Sequence, residues 1–124
     1  MDSTIRKTEA YLHKNAKLMV LEKLMTHGQQ TAHSDMDVFL EGENAVAQII
    51  SRSVAREDSI QVFHPRAIGS AACKAHIQCD SIIMDRAQVR SIPEIGALHV
   101  DAQIIHEAAI GRINNDQLIK LMTF

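Results

Sequence analysis

The chain repeats itself, and the repeat limits its fold more than any single motif does. A polar or glycine turn, a small residue and a β-rich run recur as "KNAKLMVLEKL", "GENAVAQIISRSV", "REDSIQVF", "GSAACKAHIQC", "DRAQVRSI" and "VDAQIIHEA". The small residue marks the phase at Ala16, Ala45, Ser59, Ala72, Ala87 and Ala102. The first step is twice as long as the later ones, so the unit is about 14 residues, doubling to about 29 residues, and internal periodicity of this kind signals a stacked array. A run of about six to eight residues plus a turn fills one half-period. Two runs per full period predict an all-β fold, a flattened β-helix whose coils each lay one strand on each of two facing sheets. An antiparallel sandwich also fits short strands joined by turns, but the doubling favours the β-helix.

Alternation within the runs assigns faces. In "DMDVFLEG" (35–42), Met36, Val38 and Leu40 oppose Asp35, Asp37 and Phe39. In "HIQCDSIIM" (76–84), Ile77, Cys79, Ser81 and Ile83 share one face. In "IIHEAAIGR" (104–112), Ile104, His106, Ala108 and Ile110 share one face and Ile105, Glu107 and Ala109 the other. "HPRAIGS" (64–70) reads as a turn. The expected organisation is β-helix coils over 1–112, followed over 113–124 by the start of a helical region. There Asn114 and Gln117 resemble a capping box, and Leu118, Leu121 and Met122 lie on one helical face. "STIRKTEAYL" (3–12) looks like a coil in mid-stack. A stacked array needs its end face covered, so another chain or more of a longer protein is expected there.

Composition excludes several functions. Apolar residues are 46% of 124, charged residues 23%, and the net charge is −2, which suits one globular domain. Aromatics are 3% with no Trp, and no basic run occurs, so a nucleic-acid groove is not expected. No stretch reaches the roughly 18–20 apolar residues of a membrane helix. The N-terminal residues lack the apolar core of a signal peptide. These features point to the cytoplasm.

The cysteines and histidines carry the candidate chemistry. Cys73 and Cys79 are six residues apart. On one strand that is about 20 Å, too far for a disulfide. Either could be a buried apolar thiol. The step from Cys79 to His106 is close to one full coil, which places them on adjacent strands of one sheet. A thiolate, an imidazole and a carboxylate at Cys79, His106 and Glu107 could hold a transition metal or an iron–sulfur cluster. A regular strand sends His106 and Glu107 to opposite faces, so one shared site requires a bulge. His99 is expected at a turn nearby. His13, His27, His33, His64 and His76 are scattered, and no HxH, HExxH or GxGxxG pattern occurs. A cupin-like metal enzyme is therefore a poor fit.

"IQCDSIIMDRA", "IPEIGALHVDA" and "IIHEAAIGRINNDQL", with "GENAVAQIISRSVAREDS" upstream, resemble the C-terminal part of SufB/SufD-type proteins, the scaffold subunits of Suf iron–sulfur cluster assembly. The resemblance covers residues 35–124 well and 1–34 loosely. The wording of "HVDAQIIHEAAIGRI" is closest to short members found beside a SufC-like ATPase. The resemblance implies a right-handed parallel β-helix and a C-terminal helical region that docks on a SufC-like ABC ATPase. It also implies a homo- or heterodimer with a SufB/SufD-like subunit. By residue, Cys79 matches the cysteine proposed to hold nascent cluster or sulfur, Glu107 the carboxylate beside it, and His106 a histidine common to both subunit types. His64-Pro65 departs from the turn of larger members, and Cys73 has no counterpart in them. The expectation is a non-enzymatic scaffold with a transient iron–sulfur cluster. The alternative is an assembly module for dimerisation and ATPase docking, with Cys79 as packing.

Overall fold

The computed structural model describes residues 2–114, so the helix expected over 113–124 lies, apart from its first two positions, outside the described residues. Nine strands fill the described chain: β1 (Ser3–Leu12), β2 (Lys17–Thr26), β3 (Thr31–Leu40), β4 (Ala45–Ala55), β5 (Ile60–Gly69), β6 (Cys73–Ile83), β7 (Gln88–Ser91), β8 (Glu94–Ala97) and β9 (Ala102–Arg112). They form two parallel sheets, β1-β3-β5 followed by β7 and β8, and β2-β4-β6-β9. Successive strands alternate between the sheets, with β7 and β8 together filling one turn of the first, so the chain winds as a flattened β-solenoid. Glu22 pairs with Ser51 at a separation of 29, and Ser53 with Ser81 at a separation of 28, which gives the length of each coil. No described helix is long and apolar enough to cross a membrane.

The turns explain the period. Asn15, Asn44, Glu57, Asp85 and Gly28 take positive φ of 57–62°. Asn15 and Asn44 are one coil apart, as are Gly28, Glu57 and Asp85, so the same left-handed corner recurs down each edge of the stack. Asn, Asp and Gly tolerate that conformation best. Corners also bond to each other: the Asn15 amide donates to Glu43 O at 2.9 Å and the Arg86 amide to Glu57 O at 3.1 Å. At Gly42 the approach is closest, since a Cβ there would lie 2.0 Å from the Lys14 nitrogen.

The interior is built from alternate residues. Met36, Val38 and Leu40 of β3 face Ala45, Ala47 and Ile49 of β4, with Phe63, Ala67, Cys73, Ala75, Ile77 and Cys79 completing one apolar cluster. Small residues dominate because two sheets joined by short turns leave a thin core. "HPRAIGS" is not a turn: His64 to Gly69 belong to β5. Pro65 falls opposite a gap in the next coil, where β7 has ended at Ser91 and β8 has yet to begin at Glu94. A residue without an N–H is tolerated where the ladder already lapses.

Candidate functional site

Cys79 stands where an apolar interior becomes polar. Glu22, Ser51, Cys79 and Ala108 form one inward row across β2, β4, β6 and β9. Glu22, buried among strands, accepts hydrogen bonds from Ser34 Oγ at 2.9 Å, Ser51 Oγ at 3.5 Å and Arg6 at 3.3 Å. The next row carries Ser53 and Ser81, whose hydroxyls are 2.8 Å apart. Beyond it Thr26 bonds Ser59 at 2.8 Å and accepts from Gln61 at 2.9 Å. These groups satisfy one another, which is what makes a polar interior tolerable. Cys79 is 1% exposed. Its Sγ lies 3.7 Å from Ser81 Oγ, and Ile77 flanks it on the apolar side.

The three residues singled out from the sequence divide between two faces. β9 pairs with β6 without interruption from Cys73–Ala102 to Ile83–Arg112, which places Ala108 beside Cys79, His106 beside Ile77 and Glu107 beside Gln78. His106 shares the inner face with Cys79 but sits two residues back along the neighbouring strand, a diagonal of about 8 Å between backbones. It is half-buried, and its Nε2 is buried without a hydrogen-bond partner. Glu107 is on the outer face, where its Oε2 is 3.3 Å from His76 Nε2. The regular pairing leaves no bulge to bring Glu107 round to Cys79. β9 is also the last described strand of its sheet, so its far edge is paired with no described strand.

Cys73 and Cys79 are both free and inward on β6. Burial pushes the Cys73 thiol above its ordinary value, with a smaller opposing effect from the Ala71 backbone. His99 lies in the turn before β9, its Nδ1 accepting from the Asp101 amide at 3.0 Å.

The sequence matches one family over nearly all of its length. Residues 2–123 match the family described as "SUF system FeS cluster assembly, SufBD core domain". The chain belongs to the SufBD family. Among curated SufBD family proteins, one from Methanocaldococcus jannaschii is 41% identical over 86 residues, 68% of this chain and 27% of that protein. One from Archaeoglobus fulgidus is 29% identical over 116 residues, 92% of this chain and 31% of that protein. A third, from Pyrococcus horikoshii, is 31% identical over 100 residues, 77% of this chain and 22% of that protein. The chain therefore spans between about a fifth and a third of these SufBD relatives. What it shares with them is the sequence of the SufBD core domain.

A second cluster was not anticipated from the sequence. On the outer face of the other sheet, His33 Nε2 is 2.8 Å and His64 Nδ1 3.3 Å from Asp35 Oδ1. Both histidines draw the Asp35 carboxyl below its usual range, His33 most strongly through its hydrogen bond, against a smaller effect of burial. A sequence signal for it exists: Asp35 and His64 stand one full coil apart, and His33 is two before Asp35 on the same face. Reading 64–70 as a turn hid it.

Proposed function

We propose that this chain is part of a scaffold subunit for iron–sulfur cluster assembly, with a nascent cluster or its sulfur held as cargo at Cys79 and His106. The observation that carries the reading is that Cys79 of β6 and His106 of the neighbouring β9 share one inner face, His106 Nε2 having no hydrogen-bond partner. A thiolate at Cys79 supplies the soft ligand that iron–sulfur chemistry requires, and imidazole is a known companion ligand. Glu107 can join them only where a bulge in β9 turns it inward while His106 stays inward. The polar row behind Cys79, from Glu22 through Ser51, provides hydrogen-bonding groups beside the sulfur. On this reading the protein is not itself an enzyme. It works in the cytoplasm with a SufC-like ABC ATPase and pairs with a SufB- or SufD-like subunit, which the family membership supports.

The test is anaerobic reconstitution with iron and sulfide, comparing Cys79→Ala, Cys73→Ala and the unaltered chain by visible absorbance and by bound iron and sulfide. Loss in Cys79→Ala with retention in Cys73→Ala is expected. Unchanged absorbance in Cys79→Ala overturns the ligand assignment. Co-purification with the ATPase tests the partner, and absence of a complex under every nucleotide condition counts against it. A second reading, a docking and dimerisation module without its own cluster, draws on the burial of Cys79 inside the apolar cluster. It predicts that Cys79→Ala impairs folding or pairing and nothing else.

A further inference from the structure

We propose that His33, Asp35 and His64 form a binding site for a divalent transition-metal ion, distinct from Cys79 and lying across the β3–β5 step on the opposite sheet. One ligand atom from each residue lies within 4.8 Å of the others. A metal bound at about 2.0–2.1 Å by nitrogen and oxygen holds neighbouring ligand atoms about 2.8–3.4 Å apart, by simple octahedral or tetrahedral geometry. The two separations to Asp35 Oδ1, 2.8 and 3.3 Å, are within a few tenths of an ångström of that spacing. The three ligand atoms are already gathered on neighbouring strands, so side-chain adjustment brings them onto one ion.

A second observation supports the site. His64 points Nδ1 at Asp35 and Nε2 at Glu94 of β8, whose Oε2 is 3.5 Å away. That Nε2 is buried and makes no aligned hydrogen bond, so the carboxylate is close but not yet bonded to it. Arg66 in turn reaches Glu94 Oε2 at 3.9 Å. A ligand histidine whose other nitrogen faces a carboxylate is the outer arrangement that orients metal-bound imidazoles. Three successive coils thus contribute: β3 and β5 the ligands, β8 the orienting carboxylate.

The donor set selects the ion. Two imidazoles and one carboxylate suit Zn²⁺, Co²⁺, Ni²⁺ or Fe²⁺, whereas Mg²⁺ and Ca²⁺ prefer oxygen alone. The side chains are 33–43% exposed, so water can complete the coordination. The site requires nothing of Cys79 or His106 and stands apart from the scaffold reading.

The experiment is equilibrium binding of Co²⁺ and Zn²⁺ to the purified chain, by calorimetry and by the visible spectrum of Co²⁺. The variants compared are His33→Ala/His64→Ala, Glu94→Gln and Cys79→Ala/His106→Ala. The expected result is one tight equivalent whose Co²⁺ spectrum lacks sulfur charge-transfer bands. It weakens at least about tenfold in the double histidine variant and about tenfold in Glu94→Gln, and it is unchanged in Cys79→Ala/His106→Ala. Circular dichroism of each variant confirms retained β structure, and a variant that has lost it is replaced by His33→Gln/His64→Gln. Absence of a tight equivalent, or its survival in the folded histidine variants, overturns the proposal.

Discussion

Replacing Gly42 with alanine tests whether the coils are held by the close approach of their corners. A Cβ at residue 42 would lie 2.0 Å from Lys14 N, 2.2 Å from His13 C and 2.6 Å from Lys14 Cα, all backbone atoms. Ordinary carbon contacts begin at about 3.4 Å, so the two corners must part by roughly 1–1.5 Å. Three backbone bonds cross this junction: Glu41 and Gly42 amides to Leu12 O at 2.9 and 3.0 Å, and the Asn15 amide to Glu43 O at 2.9 Å. At about 0.5–1.5 kcal/mol net for each, their loss costs about 2–4 kcal/mol. For a domain of this size that lowers the melting temperature by roughly 10 °C. The control is Gly28→Ala, which has φ +58° but nothing within 4 Å of the added carbon. It carries only the left-handed backbone penalty, about 1 kcal/mol. Thermal and urea unfolding followed by circular dichroism measure both. If Gly42→Ala melts within a few degrees of the parent, or no lower than Gly28→Ala, corner contact is not what fixes the stack.

Glu22→Ala leaves the buried Ser34 and Ser51 hydroxyls without their acceptor and is expected to cost about 2–3 kcal/mol. Arg6→Ala, whose side chain is 58% exposed, should cost under about 1 kcal/mol, and equal urea midpoints for the two variants would refute an interior role for the glutamate. Glu57→Gly should raise stability by about 1 kcal/mol, because Glu57 holds φ 59° against its side chain, and a lower midpoint would show that the side chain contributes more than its strain. The Cys73 thiol has a folded pKa raised by burial above its ordinary 9.0. Its contribution is therefore complete below about pH 9 and is lost as pH rises through the folded value. Urea midpoints at pH 8 and 10 should fall further in the parent than in Cys73→Ala, and native alkylation at pH 8 should be much slower than in urea.

The alternation of side chains was legible locally. A strand repeats every two residues whatever surrounds it, so the inward positions of Met36, Val38, Leu40, Ile77, Cys79 and His106, and the outward position of Glu107, follow from the chain alone. The length of the coil was legible for a related reason, since each corner reuses a residue that tolerates positive φ. The interior place of Glu22 was not legible, because its three hydrogen-bond partners come from other strands, at sequence distances of 12, 16 and 29.

What the sequence determined, then, was the period of the coil, the face of each strand residue and the apolar nature of the thin core. What tertiary structure decided was register. One full coil from Cys79 is Ala108 and not His106, so cysteine and histidine meet on a diagonal, with Ala108 in the place beside the sulfur. On the other sheet one full coil from Asp35 is His64, so those two stand side by side and His33 completes the group. Register between coils depends on the residues spent in each turn and on how the turns stack, and a difference of one or two residues decides whether two side chains touch. Local periodicity does not carry that information, and only the assembled sheets contain it.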